Sequence, residues 1–193
     1  MSEQLTRWTG KFGREYTDRN DVDWHTRVDG FRQMIPPDVS SVLEVGCNRG
    51  HNLVALAHAL GTTKVWGCEP AKYARKKARL TWPGICDCSI YDVGLKHNDS
   101  HKLTMTSGVL IHVPPGRLPE ALMNMYAASY RYVLAIEYYA ANDTVIEYRG
   151  HDDMLWKRDY CWHYQRLFPD LKLIGTGHGI PGFDGATYWL FEK

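Results

Sequence analysis

The sequence predicts an α/β fold in which a mostly parallel, seven-stranded sheet lies between two layers of helices. Three observations lead to this three-layer, doubly wound arrangement. Seven short strand-like runs recur along the chain, helix-like segments separate most of the first five, and the last two flank a glycine-rich loop. Alternating strands and helices pair in parallel through right-handed crossovers, whereas a closing hairpin makes the last strand antiparallel.

Composition indicates a single soluble globular domain. The chain has 193 residues, of which 44% are hydrophobic and 23% are charged. Its formal net charge of +1 argues against a nucleic-acid partner, because proteins that bind phosphate backbones are usually more basic. The N-terminal stretch lacks the apolar centre of a signal peptide, and no apolar run approaches the ~20 residues of a membrane helix. We therefore expect a monomer or homodimer without a membrane segment.

The cysteine pattern predicts a reducing compartment. The number of cysteines is odd and their spacing shows no disulfide framework, so a cytoplasmic location is expected. The "CDC" stretch at residues 86–88 lacks a second cysteine pair at zinc-site spacing, and no metal site is predicted. The five positions are Cys47, Cys68, Cys86, Cys88 and Cys161.

Residues 1–37 form a polar, aromatic-rich segment that we expect to be a helical lid. The segment ends at "IPP", where Pro36 and Pro37 stop a helix and disfavour the helical conformation just before them. Residues 38–193 then form the main part of the domain. Because the segment is short, polar and tethered to the first strand, it can close over a ligand.

The first half of the main domain alternates regularly between strands and helices. "SVLEVG" predicts a buried strand, and "HNLVALAHAL" predicts a helix that Gly61 ends. "KVWGCE" is the second strand, and "AKYARKKARL" is a helix that ends at "WPG". "GICDCSI" is a weaker third strand, and "KLTMTSGVLIHV" contains the fourth.

The second half continues the alternation and closes with a hairpin. A helix in "GRLPEALMNMYAAS" precedes a fifth strand in "YRYVLAIEYY". "DMLWKRDYCWHYQRLF" predicts a helix broken at Pro169, with Leu155, Cys161 (or Trp162) and Leu167 inward. "LKLIGTGH" and "GATYWLFEK" are the sixth and seventh strands, joined by the loop "GIPGFDG".

The stretch "LEVGCNRGHN", residues 43–52, predicts a ligand-binding turn between a strand and a helix. Gly46 lets the chain turn and brings backbone close to a ligand. Asn48 tolerates left-handed conformations and can stand in for a glycine, while Gly50 lets the next helix pack tightly. In doubly wound sheets, ligands lie at the carboxyl ends of the strands near the switch point.

Two carboxylates narrow the ligand class. Glu69 ends the predicted second strand, 23 positions after Gly46. Dinucleotide folds place at this position an acidic residue that accepts hydrogen bonds from the ribose hydroxyls. The loop G-C-N-R-G lacks the glycine that approaches a pyrophosphate, and Glu44 would repel phosphate. A ligand with a ribose and no phosphate, such as S-adenosylmethionine, therefore fits better than NAD, and an NAD-dependent oxidoreductase is disfavoured.

These motifs resemble those of the class I S-adenosylmethionine-dependent methyltransferases. The glycine turn resembles their motif I, "VWGCEP" their motif II, and "LTMTSGVLIHVPP" their fourth strand and the turn after it, over roughly residues 40–193. "WTGKFGREYTDRN", "GVLIHVPP" and "YRGHDDMLWKRDY" more narrowly resemble the pseudaminic acid biosynthesis-associated methylases. The resemblance implies a Rossmann-like methyltransferase fold, with S-adenosylmethionine as cofactor and S-adenosylhomocysteine as product.

The resemblance also implies which residues contact the cofactor. The loop from Gly46 to Gly50 would hold the methionine part and ribose, Glu69 the ribose hydroxyls, and Cys68 with Pro70 the adenine. Residues 89–90 would meet the adenine edge, residues 107–109 would line the sulfonium, and Tyr16 with Arg19 would close on the carboxylate. The complete set is Tyr16, Arg19, Glu44, Gly46, Cys47, Asn48, Gly50, Glu69, Pro70, Ser89, Ile90, Ser107, Gly108 and Val109.

Two candidates for the chemistry follow the fourth and fifth strands. His112 in "LIHVPP" has a side chain that titrates near neutral pH and could take a hydroxyl proton. Alternatively, it pins the turn by hydrogen bonding. Glu137, Tyr138 and Tyr139 follow the fifth strand near the expected mouth of the pocket, where Tyr138 either meets the acceptor or packs in the core.

A charged segment, "YRGHDD", supplies two further candidates. Arg149 suits bidentate recognition of a carboxylate or phosphate, and His151 lies beside it. Asp152 or Asp153 can cap the following helix. We expect Arg149 and His151 to meet an acceptor that carries an acidic group.

Three functions stay open from the sequence. The first is a methyltransferase that acts on a small molecule, such as a carboxylated sugar or sugar nucleotide. The second is a methyltransferase that acts on a protein or nucleic acid, against which the near-neutral charge argues. The third is a non-catalytic S-adenosylmethionine-binding protein, and conversion of cofactor to S-adenosylhomocysteine would distinguish the first two from it.

Overall fold

The computed structural model describes residues 3–183 and 185–193. Its helices are α1 (Glu3–Thr9), α2 (Lys11–Arg19), α3 (His25–Met34), α4 (His51–Leu60), α5 (Lys72–Thr81), α6 (Val93–Lys96), α7 (Leu118–Ala128) and α8 (Tyr160–Leu167). Its strands are β1 (Val42–Val45), β2 (Val65–Cys68), β3 (Ile85–Cys86), β4 (His101–Ser107), β5 (Ser129–Glu137), β6 (Thr144–Ile146), β7 (Leu155–Lys157), β8 (Lys172–His178) and β9 (Thr187–Glu192).

The main sheet has seven strands in the order β3-β2-β1-β4-β5-β9-β8. The strands from β3 to β5 pair in parallel, and β9 is antiparallel to both β5 and β8. The predicted three-layer fold and its antiparallel last strand are confirmed. Because the chain order reverses between β1 and β4, a crevice forms at the carboxyl ends of these strands.

Two apolar cores cover the two faces of the sheet. Successive side chains of a strand point to opposite faces, so Leu43 belongs to one core and Val42 to the other. Helices α3, α4 and α5 supply the second of these cores, and α6, α7 and α8 supply the first. Each fully buried leucine or phenylalanine stabilises the fold by roughly 1.5–3 kcal/mol.

The helix predicted from "DMLWKRDYCWHYQRLF" is shorter than expected. Its first part forms β7, whose Trp156 pairs with Val145 of β6 in a separate two-stranded sheet. Helix α8 begins at Tyr160 because the side chain of Asp159 accepts a hydrogen bond from the backbone N–H of Trp162. The capping role expected of Asp152 or Asp153 was therefore wrong.

The buried face of α8 also differs from the prediction. Tyr160 and Tyr164 are fully buried, whereas Trp162 is half exposed and Cys161 partly exposed. The predicted inward spacing was counted from Leu155, which is buried but lies in a strand. The helical period therefore starts five positions later than the sequence pattern suggested.

The N-terminal segment divides into two parts. Phe31 of α3 is fully buried in the core and packs edge-on against Phe183. Helices α1 and α2 instead lie over the carboxyl ends of the strands, where Trp8 packs edge-on against Tyr16. Only α1 and α2 are thus placed to act as a lid. Across the described ranges, every helix is too short or too polar to traverse a bilayer.

Candidate active site

A cavity of about 770 Å³ lies at the carboxyl ends of β1, β2, β4 and β5, beneath α1 and α2. Its size is within the range of pockets that hold small-molecule ligands. The sequence-predicted residues on its wall are Tyr16, Glu44, Gly46, Cys47, Asn48, Glu69, Pro70, Ser89, Ile90, Ser107, Gly108, Val109, His112 and Tyr138. This agreement identifies the cavity as the candidate active site.

The turn after β1 has the conformation that its sequence predicts. Gly46 has φ +78°, and a β-carbon there would lie 2.5 Å from a methyl carbon of Val109. Asn48 has φ 44°, so it does take the left-handed conformation in place of a glycine. Gly50 has φ +77°, and a β-carbon there would make ordinary contacts at 3.6 Å or more. Gly50 is thus required by its backbone angle rather than by close packing.

Glu69 connects this turn to the end of β2. Its Oε2 accepts a 2.9 Å hydrogen bond from the backbone N–H of Asn48, and its Oε1 accepts one of 2.8 Å from Ala71. Burial raises the pKa of Glu69 to about 6, while these two donors act in the opposite direction. A carboxylate has further lone pairs, so Glu69 can also accept hydrogen bonds from hydroxyl groups of a ligand.

Glu44 starts a buried polar chain that the sequence predicts only in part. Its Oε1 accepts a 2.6 Å hydrogen bond from Nδ2 of Asn52, and Oδ1 of Asn52 accepts one from Arg27. Burial raises the pKa of Glu44 to about 7. Asn52 ends the stretch "LEVGCNRGHN" and could have been found there, whereas Arg27 carries no motif and is brought in by α3.

Glu137 holds the turn that follows β4. Its Oε1 accepts hydrogen bonds from the backbone N–H groups of Val109 at 3.2 Å and Leu110 at 3.1 Å, and its Oε2 accepts one from Ile111 at 3.3 Å. Burial raises its pKa to about 7. Glu137, the last residue of β5, lines the cavity near the end of the fifth strand as expected, but Tyr139 is half exposed and does not line it.

His112 is held against the same turn. Its Nδ1 lies 2.5 Å from the carbonyl oxygen of Met154, so Nδ1–H donates and Nε2 keeps its lone pair. The ring lies 4.5 Å from that of Trp8 and 5.4 Å from that of Tyr148. Burial lowers the pKa of His112 to about 4, so the imidazole is neutral at physiological pH. The hydrogen bond that pins the turn is present.

Four further predicted residues, besides Tyr139 and Cys68, are not on the cavity wall: Arg19, Gly50, Arg149 and His151. The guanidinium of Arg149 lies 5.7 Å from the ring centre of Tyr148, and the backbone of His151 pairs with that of Tyr148. Tyr148 itself lines the cavity instead. The prediction that Arg149 and His151 meet the ligand therefore has no support in the geometry.

The cysteines also differ from the prediction. Cys68 and Cys88 form a disulfide, although the sequence showed no disulfide framework. Cys68 is fully buried and does not line the cavity, so it does not flank the expected adenine site. Because β2 and β3 are neighbours, Cys86 pairs in register with Cys68.

Comparison with solved structures gives the fold independently. The chain resembles magnesium protoporphyrin IX methyltransferase from Synechocystis, determined with bound S-adenosylmethionine, with 12% identity, a TM-score of 0.71 and coverage of 100% of this chain and 98% of that one. It also resembles 1,6-didemethyltoxoflavin-N1-methyltransferase from Burkholderia thailandensis, with 10% identity, a TM-score of 0.72 and coverage of 98% and 86%. A sugar N-methyltransferase from a Streptoalloteichus species has 12% identity, a TM-score of 0.68 and coverage of 96% and 93%.

These likenesses establish a Rossmann-like methyltransferase fold over nearly the whole chain. The toxoflavin enzyme was determined with its substrate and S-adenosylhomocysteine bound. No family model matches the chain, and no curated protein matches it either. The narrower resemblance to the pseudaminic acid biosynthesis-associated methylases therefore stays a prediction.

Proposed function

We propose that this protein is an S-adenosylmethionine-dependent methyltransferase that acts on a small-molecule acceptor. One observation carries the proposal: the buried carboxylate of Glu69, directly after β2, lies on the cavity wall and accepts a hydrogen bond from the backbone N–H of Asn48 in the glycine turn. An acid at this place suits a ribose, and the turn beside it lacks the glycine that lets backbone approach a pyrophosphate.

Unpaired polar atoms on the cavity wall support this ligand. Within the described residues, Oε2 of Glu44 and both side-chain polar atoms of Asn48 are buried without a hydrogen-bond partner. A β-carbon at Gly108 would meet nothing within 4 Å, so open space adjoins the end of β4. Buried polar groups are rarely left unpaired in proteins, and a polar ligand would satisfy them.

The charges on the wall match those of an amino acid zwitterion. Glu44 would receive the ammonium group, and the guanidinium of Arg27, which Asn52 links to Glu44, would receive the carboxylate. Glu69 would accept hydrogen bonds from the ribose hydroxyls, and Ser89 and Ile90 would contact the adenine. When bound, the cofactor supplies an activated methyl group on a sulfonium, so the protein mainly aligns the acceptor and excludes water.

The acceptor would lie beneath α1, beside His112, Tyr138 and Tyr148. The neutral Nε2 of His112 is suited to hold or accept the proton of an acceptor hydroxyl or amine. Both amide atoms of Gln4 and the indole N–H of Trp8 are buried on this part of the wall without a partner among the described residues.

Such a mixture of hydrogen-bond donors and acceptors on the wall fits a methyl acceptor that is rich in hydroxyl groups. A carboxylated sugar or sugar nucleotide is our finer proposal, and it also draws on the family resemblance. The covered cavity favours a small molecule over a protein or nucleic acid.

Calorimetric titration with S-adenosylmethionine and S-adenosylhomocysteine tests the cofactor assignment. We expect micromolar binding by the wild type and by Asp170→Asn, a control at an exposed turn, and much weaker binding by Glu69→Ala. Release of S-adenosylhomocysteine in the presence of carboxylated sugars and sugar nucleotides then tests the acceptor class. Absence of binding by the folded wild type would refute the proposal.

A further inference from the structure

A cluster of three cysteines and one histidine lies behind the nucleoside end of the cavity. The Sγ atoms of Cys68, Cys86 and Cys88 and a ring nitrogen of His97 all lie within 4.8 Å of one another. Cys68 ends β2, Cys86 ends β3, Cys88 follows two positions later, and His97 follows α6. We propose that these four side chains, in their reduced form, bind a zinc ion.

The separations from Cys86 are close to those of tetrahedral coordination, whereas the Sγ atoms of Cys68 and Cys88, bonded to each other in the disulfide, must separate on reduction. The Sγ of Cys86 lies 3.3 Å from that of Cys68, 3.6 Å from that of Cys88 and 3.3 Å from Nε2 of His97. Four ligands about 2.0–2.3 Å from a zinc ion lie roughly 3.5–3.8 Å from each other. Three thiolates and one imidazole form a ligand set that selects zinc over hard cations such as magnesium.

The histidine is oriented as a ligand by its neighbour. Nδ1 of His97 lies 3.4 Å from Nε2 of His101. With its proton on Nδ1, His97 donates to His101, and its Nε2 keeps a lone pair that faces Cys86. Ligating histidines in proteins commonly have their second nitrogen held in this way.

The cluster is both enclosed and reachable. Cys68 and Cys88 are 0% and 2% exposed, whereas Cys86 and His97 are partly exposed. A metal ion can therefore enter from the side of Cys86 and His97. Lys96 donates a 2.8 Å hydrogen bond to the carbonyl of Asp87, so a positive charge lies near a site that would carry one net negative charge.

The Cys68–Cys88 disulfide is the oxidised alternative to the metal site. A phosphine reductant, with one water molecule, converts the disulfide into two thiols and becomes the phosphine oxide. Zinc binding by the three thiols then releases three protons to solvent. The two states exclude each other because the same sulfur atoms form either the disulfide or the metal bonds.

The site would fix two segments of the cavity wall. Cys68 directly precedes Glu69, and Cys88 directly precedes Ser89. An ion shared by β2, β3 and α6 would hold these segments at a fixed separation. Metal binding is nevertheless measurable without cofactor, so its test is independent of the proposed methyl transfer.

Cobalt substitution in the whole, reduced chain tests the site directly. The protein is treated with phosphine and chelator without oxygen, its five thiols are counted, and Co²⁺ is added. We expect the visible bands of tetrahedral cobalt and a thiolate charge-transfer band that saturate at one equivalent and are abolished by Zn²⁺. A fully reduced wild type that shows no such spectrum would refute the zinc site and leave only a disulfide beside a thiol.

Matched variants then assign the ligands. Cys86→Ser and His97→Ala change partly exposed positions and should each weaken zinc binding by about 100-fold or more. Cys161→Ser, on α8 and outside the cluster, should bind zinc like the wild type. Equal zinc affinity in all three variants would contradict the proposal, and if a variant fails to fold, the cobalt spectrum of the wild type decides.

Discussion

The backbone N–H of Asn48 donates a 2.9 Å hydrogen bond to Oε2 of Glu69, across 21 positions of sequence. This bond joins the glycine turn after β1 to the acid at the end of β2. Since the two strands are parallel neighbours, both groups reach the same edge of the sheet. The hydrogen bond fixes the carboxylate of Glu69, our proposed acceptor of hydrogen bonds from the ribose, relative to the turn.

Glu69→Gln should weaken binding of S-adenosylmethionine by about 10-fold to 100-fold. The substitution keeps the shape but replaces a charged acceptor, whose hydrogen bonds are worth roughly 1.5–3 kcal/mol, by an amide. Calorimetry measures the effect, with Asp170→Asn as the control for an exposed acid. Equal affinity in Glu69→Gln and the wild type would exclude Glu69 from the cofactor site.

Glu44→Gln should flatten the pH dependence of stability in the ligand-free protein. Burial raises the folded-state pKa of Glu44 from 4.5 to about 7, so the folded state retains the proton to higher pH than the unfolded chain does. The stability linked to this group is present below about pH 4.5 and is lost, on the order of 3 kcal/mol, as pH rises through about 7.

Chemical denaturation from pH 4.5 to 8 measures this difference. The wild type should lose more free energy of unfolding across the window than Glu44→Gln does. Asp170→Asn should follow the wild type. Parallel curves for the wild type and Glu44→Gln would show that Glu44 titrates alike in the folded and unfolded chains.

His112→Asn should lower kcat by roughly 10²-fold to 10⁴-fold if His112 is the general base that takes a proton from the methyl-accepting substrate. The side-chain amide nitrogen of the introduced asparagine can still donate a hydrogen bond to the carbonyl of Met154. The turn is therefore retained while the base is removed. His112→Phe, which loses both, is the comparison for the structural role. Cofactor affinity of His112→Asn should stay within about 2-fold of the wild type.

The pH profile of the wild-type reaction provides a second check. Because the pKa of buried His112 is lowered to about 4, the imidazole is neutral throughout the physiological range. The rate should therefore show no histidine inflection near pH 6.5. An inflection there that disappears in His112→Asn would mean that His112 is solvated during turnover.

Trp8→Ala should loosen the helices that cover the cavity. Trp8 packs against Tyr16 and His112, with ring centres 5.1 Å and 4.5 Å away. In the wild type, S-adenosylhomocysteine should slow trypsin cleavage after the exposed Arg14 and Arg19 several-fold, and Trp8→Ala should reduce that protection. Trp162→Ala, at an exposed position of α8, is the control.

Equal cleavage rates with and without ligand in the wild type would contradict the proposal that α1 and α2 act as a lid. In that case α1 and α2 would be a fixed part of the domain. Cofactor affinity measured on the same samples separates this outcome from a failure to bind.

Gln4→Leu should raise KM for the acceptor several-fold without changing cofactor affinity. Both amide atoms of Gln4 are buried on the cavity wall without a partner among the described residues, so a polar acceptor would satisfy them. Steady-state kinetics with an acceptor that supports turnover measure the change. An unchanged KM would remove Gln4 from the acceptor site and weaken the case for a hydroxyl-rich substrate.

The error in the α8 region shows where periodicity misleads. Apolar residues in "DMLWKRDYCWHYQRLF" suit a helix as well as a strand, and local pattern alone does not distinguish them. The pairing of Trp156 with Val145 is a contact between segments distant in sequence, and it places Leu155 and Trp156 in β7 rather than in a helix. The capping bond from Asp159 then fixes the helix start.

The sequence by itself determined the seven strands of the main sheet, the glycine turn and the acid at Glu69, because each depends on local backbone preferences and short spacings. Tertiary structure alone decided which distant side chains share a site. It brought Arg27 to Asn52 and His97 to Cys86, and it moved Arg149 away from the cavity. Such groupings depend on how the helices pack against the sheet, and packing is a property of the whole chain rather than of any one motif.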